Sequence, residues 1–235
     1  MRDEALIELI THKVLEQLQT EHPCSGCVLR TCAVGDRACD AVLKQNKIPV
    51  GVSARHAHVT QEHLEILYGA GHQLAAHAPL FQPGAFAAAE TVTIVGRRIR
   101  AIEGIRILGP VRDYTQVELA RTDAIRLGLD PPIRDSGDIE NSEPITLIGP
   151  NGSIFLEQGA ICATRHIHMT PEDAKNLGVC EGDSLKVHIH GNRALTFENI
   201  RPKISPSYVL QMHLDTDDAN SAGLRGGEAI ELSRD

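Results

Sequence analysis

Four histidines in two short blocks are the residues of this 235-residue chain best placed to do chemistry. Ser53-Ala54-Arg55-His56-Ala57-His58-Val59-Thr60-Gln61-Glu62 returns as Ala163-Thr164-Arg165-His166-Ile167-His168-Met169-Thr170-Pro171-Glu172, so Arg-His-x-His-x-Thr-x-Glu is kept at every fixed position. In an extended segment side chains alternate faces, so His56 and His58 share one face, as do His166 and His168. A single His-x-His is more often solvated than metal-bound. Two copies mark an internal repeat: two related units that can face each other and bring four imidazoles to one or two borderline metal ions such as zinc.

Other residues compete for a role. His188-Ile189-His190 is a third His-x-His, but it lacks the preceding Arg and the following Thr, and alternation with Val187 and Ile189 puts both rings on the polar face of a strand. It is read as solvated surface. His213 stands at the end of an apolar run, just before Thr216-Asp217-Asp218 opens a helix, where sites are commonly built. In Gly109-Pro110-Val111-Arg112-Asp113-Tyr114-Thr115-Gln116-Val117-Glu118, Arg112 offers a two-pronged grip on a phosphate or carboxylate, and Glu118 could complete a metal shell. The competing reading is a surface salt bridge at a helix start. Arg134-Asp135-Ser136-Gly137-Asp138 reads first as a polar turn. Cys162, four residues before His166, is either an acyl-carrying nucleophile or a buried, inert thiol; its apolar neighbours favour the second.

These groups must be positioned by strands and short helices. Aromatics make up only 3% of the chain and there is no Trp, so the core is built from Val, Ile, Leu and Ala, which suits strands. Apolar strand signals fall at 48–52, 91–95, 99–108, 145–148, 153–156, 185–190, 194–200 and 208–213, with loop or brief strands expected over 70–90. Asp123-Ala124…Gly128-Leu129, Asp173-Ala174…Gly178-Val179 and Asp218-Ala219…Gly223-Leu224 repeat D-A-x-x-x-G-[VL], each a short helix with a carboxylate in its first turn and glycine at its stop. Thr60 and Thr170 are expected N-caps, the latter followed by Pro171. The fold class expected is mainly β with short helices: two small β-barrels capped by helices, plus an N-terminal helical extension. No Gly-rich nucleotide-binding loop is present.

The extension is a helix over 3–19, with Ile7, Ile10, Val14 and Leu18 as an apolar stripe. Cys24, Cys27, Cys32 and Cys39 follow it. Their spacing is read first as reduced thiols in a reducing cytosol, with a metal cluster as the alternative. The formal charge of −8 argues against a nucleic-acid surface. Apolar runs fall well short of the ~20 residues that span a bilayer, and the acidic start does not resemble a signal peptide. A cytoplasmic protein without membrane contact is expected.

Taken together, the two Arg-His-x-His-x-Thr blocks, Gly-Pro-Val-Arg, Arg-Asp-Ser-Gly-Asp and Gln211-Met212-His213-Leu214-Asp215-Thr216-Asp217-Asp218-Ala219 resemble the PduL-type phosphate propanoyltransferases, from about Ile48 to about Leu232. These phosphotransacylases are associated with bacterial microcompartments and propanediol degradation. The resemblance implies two β-barrels with a dinuclear zinc site between them, and the reaction acyl-CoA + phosphate ⇌ acyl phosphate + CoA. It implies His56, His58, Glu118, His166, His168 and His213 as ligands of two Zn2+ per chain, Arg112 as the phosphate-binding residue, and Ser136 as part of a shared polar block. It also implies one barrel from 46–55 with 160–235 and the other from 56–159, leaving 1–45 as the accessory segment. The partners implied are CoA, acyl phosphate and phosphate, further copies of the chain, and microcompartment shell or core proteins through residues 3–19. Two other readings use the same histidines: a metal-dependent hydrolase, and a non-catalytic zinc-binding module.

Overall fold

A computed structural model describes residues 47–233, so the expected helix over 3–19 and Cys24, Cys27, Cys32 and Cys39 lie outside the described residues. In chain order the first half comprises β1 (Ile48–Ser53), β2 (His56–His58), α1 (Gln61–Tyr68), β3 (Ala76–Pro79), β4 (Phe86–Val95), β5 (Ala101–Gly109), β6 (Gln116–Glu118), α2 (Arg121–Leu127) and β7 (Ile133–Arg134). The second comprises β8 (Glu143–Ile148), β9 (Ser153–Ala163), β10 (His166–Met169), α3 (Pro171–Leu177), β11 (Leu185–Ile189), β12 (Leu195–Ile204), β13 (Gln211–Asp215), α4 (Thr216–Ala222) and β14 (Ala229–Leu232).

Six strands close one barrel in the order β1-β13-β10-β12-β11-β14. Another six, β4-β5-β2-β6-β9-β8, close a second because β8 pairs with both β9 and β4; β3 and β7 extend it. The mainly β, two-barrel architecture expected from the sequence is therefore the observed one. The two rings share one plan. In each, one long-range pair is parallel (β1 with β13, β9 with β6) and a second parallel pair follows it around the ring (β10 with β12, β2 with β5). Every other neighbour is antiparallel. Closure leaves no long unpaired edge, and each barrel fills its interior with β-branched and aliphatic side chains. Ile48, Ile167, Met169, Val187, Ile200 and Met212 pack in the first, and Ala57, Ile94, Ile105, Ile107, Val117 and Leu147 in the second.

The chain passes between barrels at Ala54-Arg55 and again at Thr164-Arg165, in each case just before a His-x-His strand. That explains the arginines of the repeat. Arg55 donates to Asp123 Oδ1 at 3.1 Å, and Arg165 makes a two-pronged bond to Asp218 at 2.7 and 2.8 Å. Both aspartates are the first-turn residues of the D-A-x-x-x-G helices α2 and α4, so each crossover is tied to a helix N-terminus, where a carboxylate is favoured. The glycines that stop α2, α3 and α4 adopt φ of 73°, 62° and 72°, a left-handed conformation that costs residues with a Cβ about 1 kcal/mol or more. Thr60 and Thr170 cap α1 and α3 as expected, the latter in a reciprocal capping box with Asp173.

Two expectations need correction. β9 runs on to Ala163, because Glu157-Gln158-Gly159 continues the ladder without apolar alternation to announce it. The loop or brief strands expected over 70–90 are β3 and the first half of β4, joined by loops. The strand expected over 208–213 is instead β13, shifted to start at Gln211. Its first residues are diverted: Val209 gives its N–H to Gln82 Oε1 at 3.0 Å and takes the Gln82 amide on its carbonyl at 2.9 Å, so a side chain replaces the ladder partner. Among the described residues no helix is long and apolar enough to cross a membrane.

Candidate metal centre and anion cleft

Strand register builds the site. Between β2 and β6, His56 lies opposite Glu118 and His58 opposite Gln116; between β10 and β13, His166 lies opposite His213 and His168 opposite Gln211. Because alternate residues share a face, Ala57 and Ile167 enter the barrel cores while the histidines on either side turn out of them, towards the other barrel. Two triads result, His56–His58–Glu118 and His166–His168–His213, with the potential ligand atoms of each within 4.8 Å of one another. His56 Nε2 is 3.5 Å and His58 Nε2 3.9 Å from the Glu118 carboxylate. The rings of His166 and His213 stack at 4.9 Å, and those of His168 and His213 meet at 4.6 Å.

Ring orientation is set from behind. His56 Nδ1 is 2.9 Å from the Ala54 carbonyl, His166 Nδ1 is 2.7 Å from the Thr164 carbonyl, and His58 Nδ1 is 3.3 Å from the Leu108 carbonyl. A backbone acceptor on Nδ1 fixes the tautomer that leaves the Nε2 lone pair for a metal. Electrostatics agree. Burial is the main force lowering His58 to about 3, His166 to about 4, His168 to about 3 and His213 to about 2, so these four imidazoles are neutral at physiological pH. For His56 burial acts downward too, but the charge and hydrogen bond of Glu118 outweigh it and the pKa is raised. Glu118 loses solvation on burial, yet His56 and His58 hold it far below the usual carboxylate range.

The residues fit a divalent ion. His168 Nδ1 and His213 Nε2 are buried with no hydrogen-bond partner among the described residues, and an orphaned buried polar atom calls for an occupant. The donor sets, two imidazoles with a carboxylate and three imidazoles, suit zinc or a similar borderline ion.

Both triads open onto one cleft of about 740 Å³ between the barrels, and it also reaches Arg112 and Ser136. All eight residues singled out in the sequence therefore line it. Arg112 donates to Tyr114 Oη at 2.7 Å and Ser136 Oγ at 3.0 Å, and makes no carboxylate pair among the described residues. Sequence reasoning missed Gln116, which is fully buried. Its amide donates to both Glu118 and Ser136 at 2.7 Å, and its Oε1 accepts the Gly137 N–H at 2.8 Å. Gln116 thus ties the metal-facing carboxylate to the turn that holds the arginine. A signal was available: Gln116-Val117-Glu118-Leu119 and Gln211-Met212-His213-Leu214 align without gaps, each followed at the same distance by an Asp-Ala pair. Tyr208, stacked on His168 at 4.1 Å, was also unforeseen. His188 and His190 lie on the surface as expected, with His188 2.9 Å from Thr196 Oγ1. Cys162 is buried, and burial raises its thiol to about 11, which leaves it protonated and unsuited to act as a nucleophile.

Comparison with known proteins bears on these geometries. A family model described as phosphate propanoyltransferase matches residues 49–225. A phosphate propanoyltransferase of Lachnoclostridium phytofermentans is 50% identical over 185 residues, covering 79% of this chain and 86% of the relative. One of Thermotoga maritima is 50% identical over 190 residues (80% and 90%), and one of Salmonella typhimurium 44% over 182 residues (77% and 86%).

Proposed function

The chain belongs to the phosphate propanoyltransferase family, and from that premise we propose that it exchanges acyl-CoA plus phosphate for acyl phosphate plus CoA in the cleft between its barrels. It is an acyltransferase, with CoA, phosphate and acyl phosphate as substrates. What supports this location is the convergence on a single cleft of two ligand triads and the Arg112 guanidinium, which has no carboxylate partner among the described residues. In our reading the barrels are the two domains; the boundary expected at 159/160 falls inside β9 and moves to the crossover at Thr164-Arg165, so the first barrel takes the chain up to Arg55 and from Arg165 onward, and the second the segment between. His56, His58 and Glu118 would hold one zinc ion and His166, His168 and His213 a second. Ions bound there supply Lewis-acid polarisation of the acyl carbonyl.

The remaining steps belong to side chains. The CoA thiol loses its proton and its sulfur forms a bond to the acyl carbon as the bond from that carbon to the phosphate oxygen breaks; in the net reaction the proton ends on the departing phosphate. Arg112, steadied by Tyr114 and Ser136, receives the oxygens of the departing phosphate in its planar fork. Gln116 fixes the Glu118 carboxylate and Ser136 in one network, so the metal-facing and anion-facing halves of the site keep their spacing. Direct transfer is the reading favoured here: Cys162 is buried, does not line the cleft, and has its thiol pKa raised by that burial.

The test is to follow acetyl and propanoyl phosphate with and without CoA. Thioester should form one for one with acyl phosphate consumed, and only when CoA is present. Consumption without CoA would show a metallohydrolase; metal binding with no turnover would show a binding module. Either result sinks the reading.

Residues 3–19 lie outside the family match and carry the apolar stripe of Ile7, Ile10, Val14 and Leu18. As an amphipathic helix they would serve a partner and not the reaction: a microcompartment shell or core protein, or another copy of the chain. Deleting residues 1–45 is then expected to leave metal content and specific activity unchanged while abolishing co-assembly with shell and reducing self-association. Loss of activity on truncation would assign the segment to the catalytic body.

A further inference from the structure

Lys203 is a cation in the cleft that the reaction scheme above leaves without a task. It sits on β12 opposite His168, and its charge is felt by all three histidines of the second triad. Its partner, Asp135 Oδ1, is 3.5 Å away, a looser contact than the 2.7–2.9 Å of a formed charge-assisted bond, and that oxygen has no closer partner among the described residues. Arg201 has the better claim on the same carboxylate, at 2.8 Å. Lys203 is nevertheless mostly covered, with 22% of its side chain exposed. A lysine desolvated beside neutral imidazoles, or beside metal-bearing ones, is costly unless an anion compensates it.

The neighbouring residue gives the anion a location. Asp135 and Ser136 are consecutive: Asp135 faces Lys203 and Arg201 on the first barrel, while Ser136 holds Arg112 on the second. Two cations, one from each barrel, thus meet consecutive residues of one turn and line the same cleft. We propose that Lys203 binds a phosphoryl oxygen of the substrate, acting with Arg112 as the second arm of a two-barrel anion grip. The assignment rests on the acyl-transfer reading above. Two sources carry that chemistry: the phosphate or acyl phosphate, and the phosphates of CoA.

The experiment compares wild type with Lys203→Met, Lys203→Arg and Asp135→Asn, measuring KM for phosphate, acetyl phosphate and CoA separately, with metal content and melting temperature recorded for each. Lys203→Met should raise KM about tenfold, the loss of one charge-assisted hydrogen bond, with metal content retained and substantial rescue in Lys203→Arg. A rise confined to phosphate and acetyl phosphate assigns the reacting phosphoryl group; a rise confined to CoA assigns its phosphates. Asp135→Asn removes the inter-barrel ion pair but keeps the lysine, and should raise none of the three KM values. Unchanged KM values in Lys203→Met, or an equal rise in Asp135→Asn, would overturn the assignment and leave Lys203 a structural tie. Turnover by the wild type in the same assays separates that outcome from failure of the acyl-transfer reading, in which wild type itself makes no thioester.

Discussion

Replacing His166 with Ala is expected to remove most of the metal bound at the second triad and to lower turnover on the order of a thousandfold or more, while His188→Ala leaves both near wild type. The contrast isolates chemistry from composition, since each histidine belongs to a His-x-His on a strand. His166 is fixed at Nδ1 by the Thr164 carbonyl, stacked on His213 and held neutral by burial, so its other nitrogen is a prepared ligand. His188 is exposed and 2.9 Å from a threonine hydroxyl. Truncating His166 leaves two imidazoles, too few to hold a divalent ion tightly against water. The measurements are metal per chain by elemental analysis and rate of thioester formation, with circular dichroism confirming that both variants fold. Equal losses from the two substitutions, or full metal content in His166→Ala, would falsify the ligand assignment.

Much of this site was legible because it is written twice. The Arg-His-x-His-x-Thr-x-Glu repeat carries the crossover, the ligand strand and the capped helix of each barrel in one stretch, so alternation alone gave the facing of His56, His58, His166 and His168. The helices were equally plain, since an N-cap, an early carboxylate and a left-handed glycine are local signals. Glu118 and His213 were harder. They sit far from the histidines they join, and only strand register makes them neighbours. Their equivalence is visible once Gln116 is aligned with Gln211, but one position carries a carboxylate and the other an imidazole, which hides the repeat. That alignment marks Gln116 as a repeated position but not as the tie between Glu118 and Ser136. A buried glutamine earns that role through three specific hydrogen bonds, and no spacing in the sequence encodes them. The start of β13 was misplaced for a similar reason: the Gln82 side chain, 127 residues away, satisfies the backbone of Val209. Long-range side-chain pairing of that kind leaves no periodicity behind.

Arg112→Lys should keep the metal and still cost on the order of a hundredfold in kcat/KM, through a raised KM for phosphate or acyl phosphate together with a lower kcat. Both substitutes are cations, so bulk attraction for an anion survives; what disappears is the planar fork. In the native cleft the guanidinium spends one nitrogen on Tyr114 and Ser136, which orients the plane and leaves the other edge for two phosphate oxygens. An ammonium on a flexible stem can satisfy Ser136 or the phosphate, but cannot hold both in fixed geometry. If the fork matters most as negative charge builds on the departing phosphate, the loss must appear in kcat as well as KM. Metal content decides whether the effect is local, because Arg112 is linked to Glu118 by hydrogen bonds through Ser136 and Gln116 and its charge is felt by His56 and His58. Retained metal with the split kinetic loss supports Arg112 as the phosphate grip. Retained metal with unchanged phosphate kinetics removes it from the site, and lost metal makes it a support for Glu118 instead.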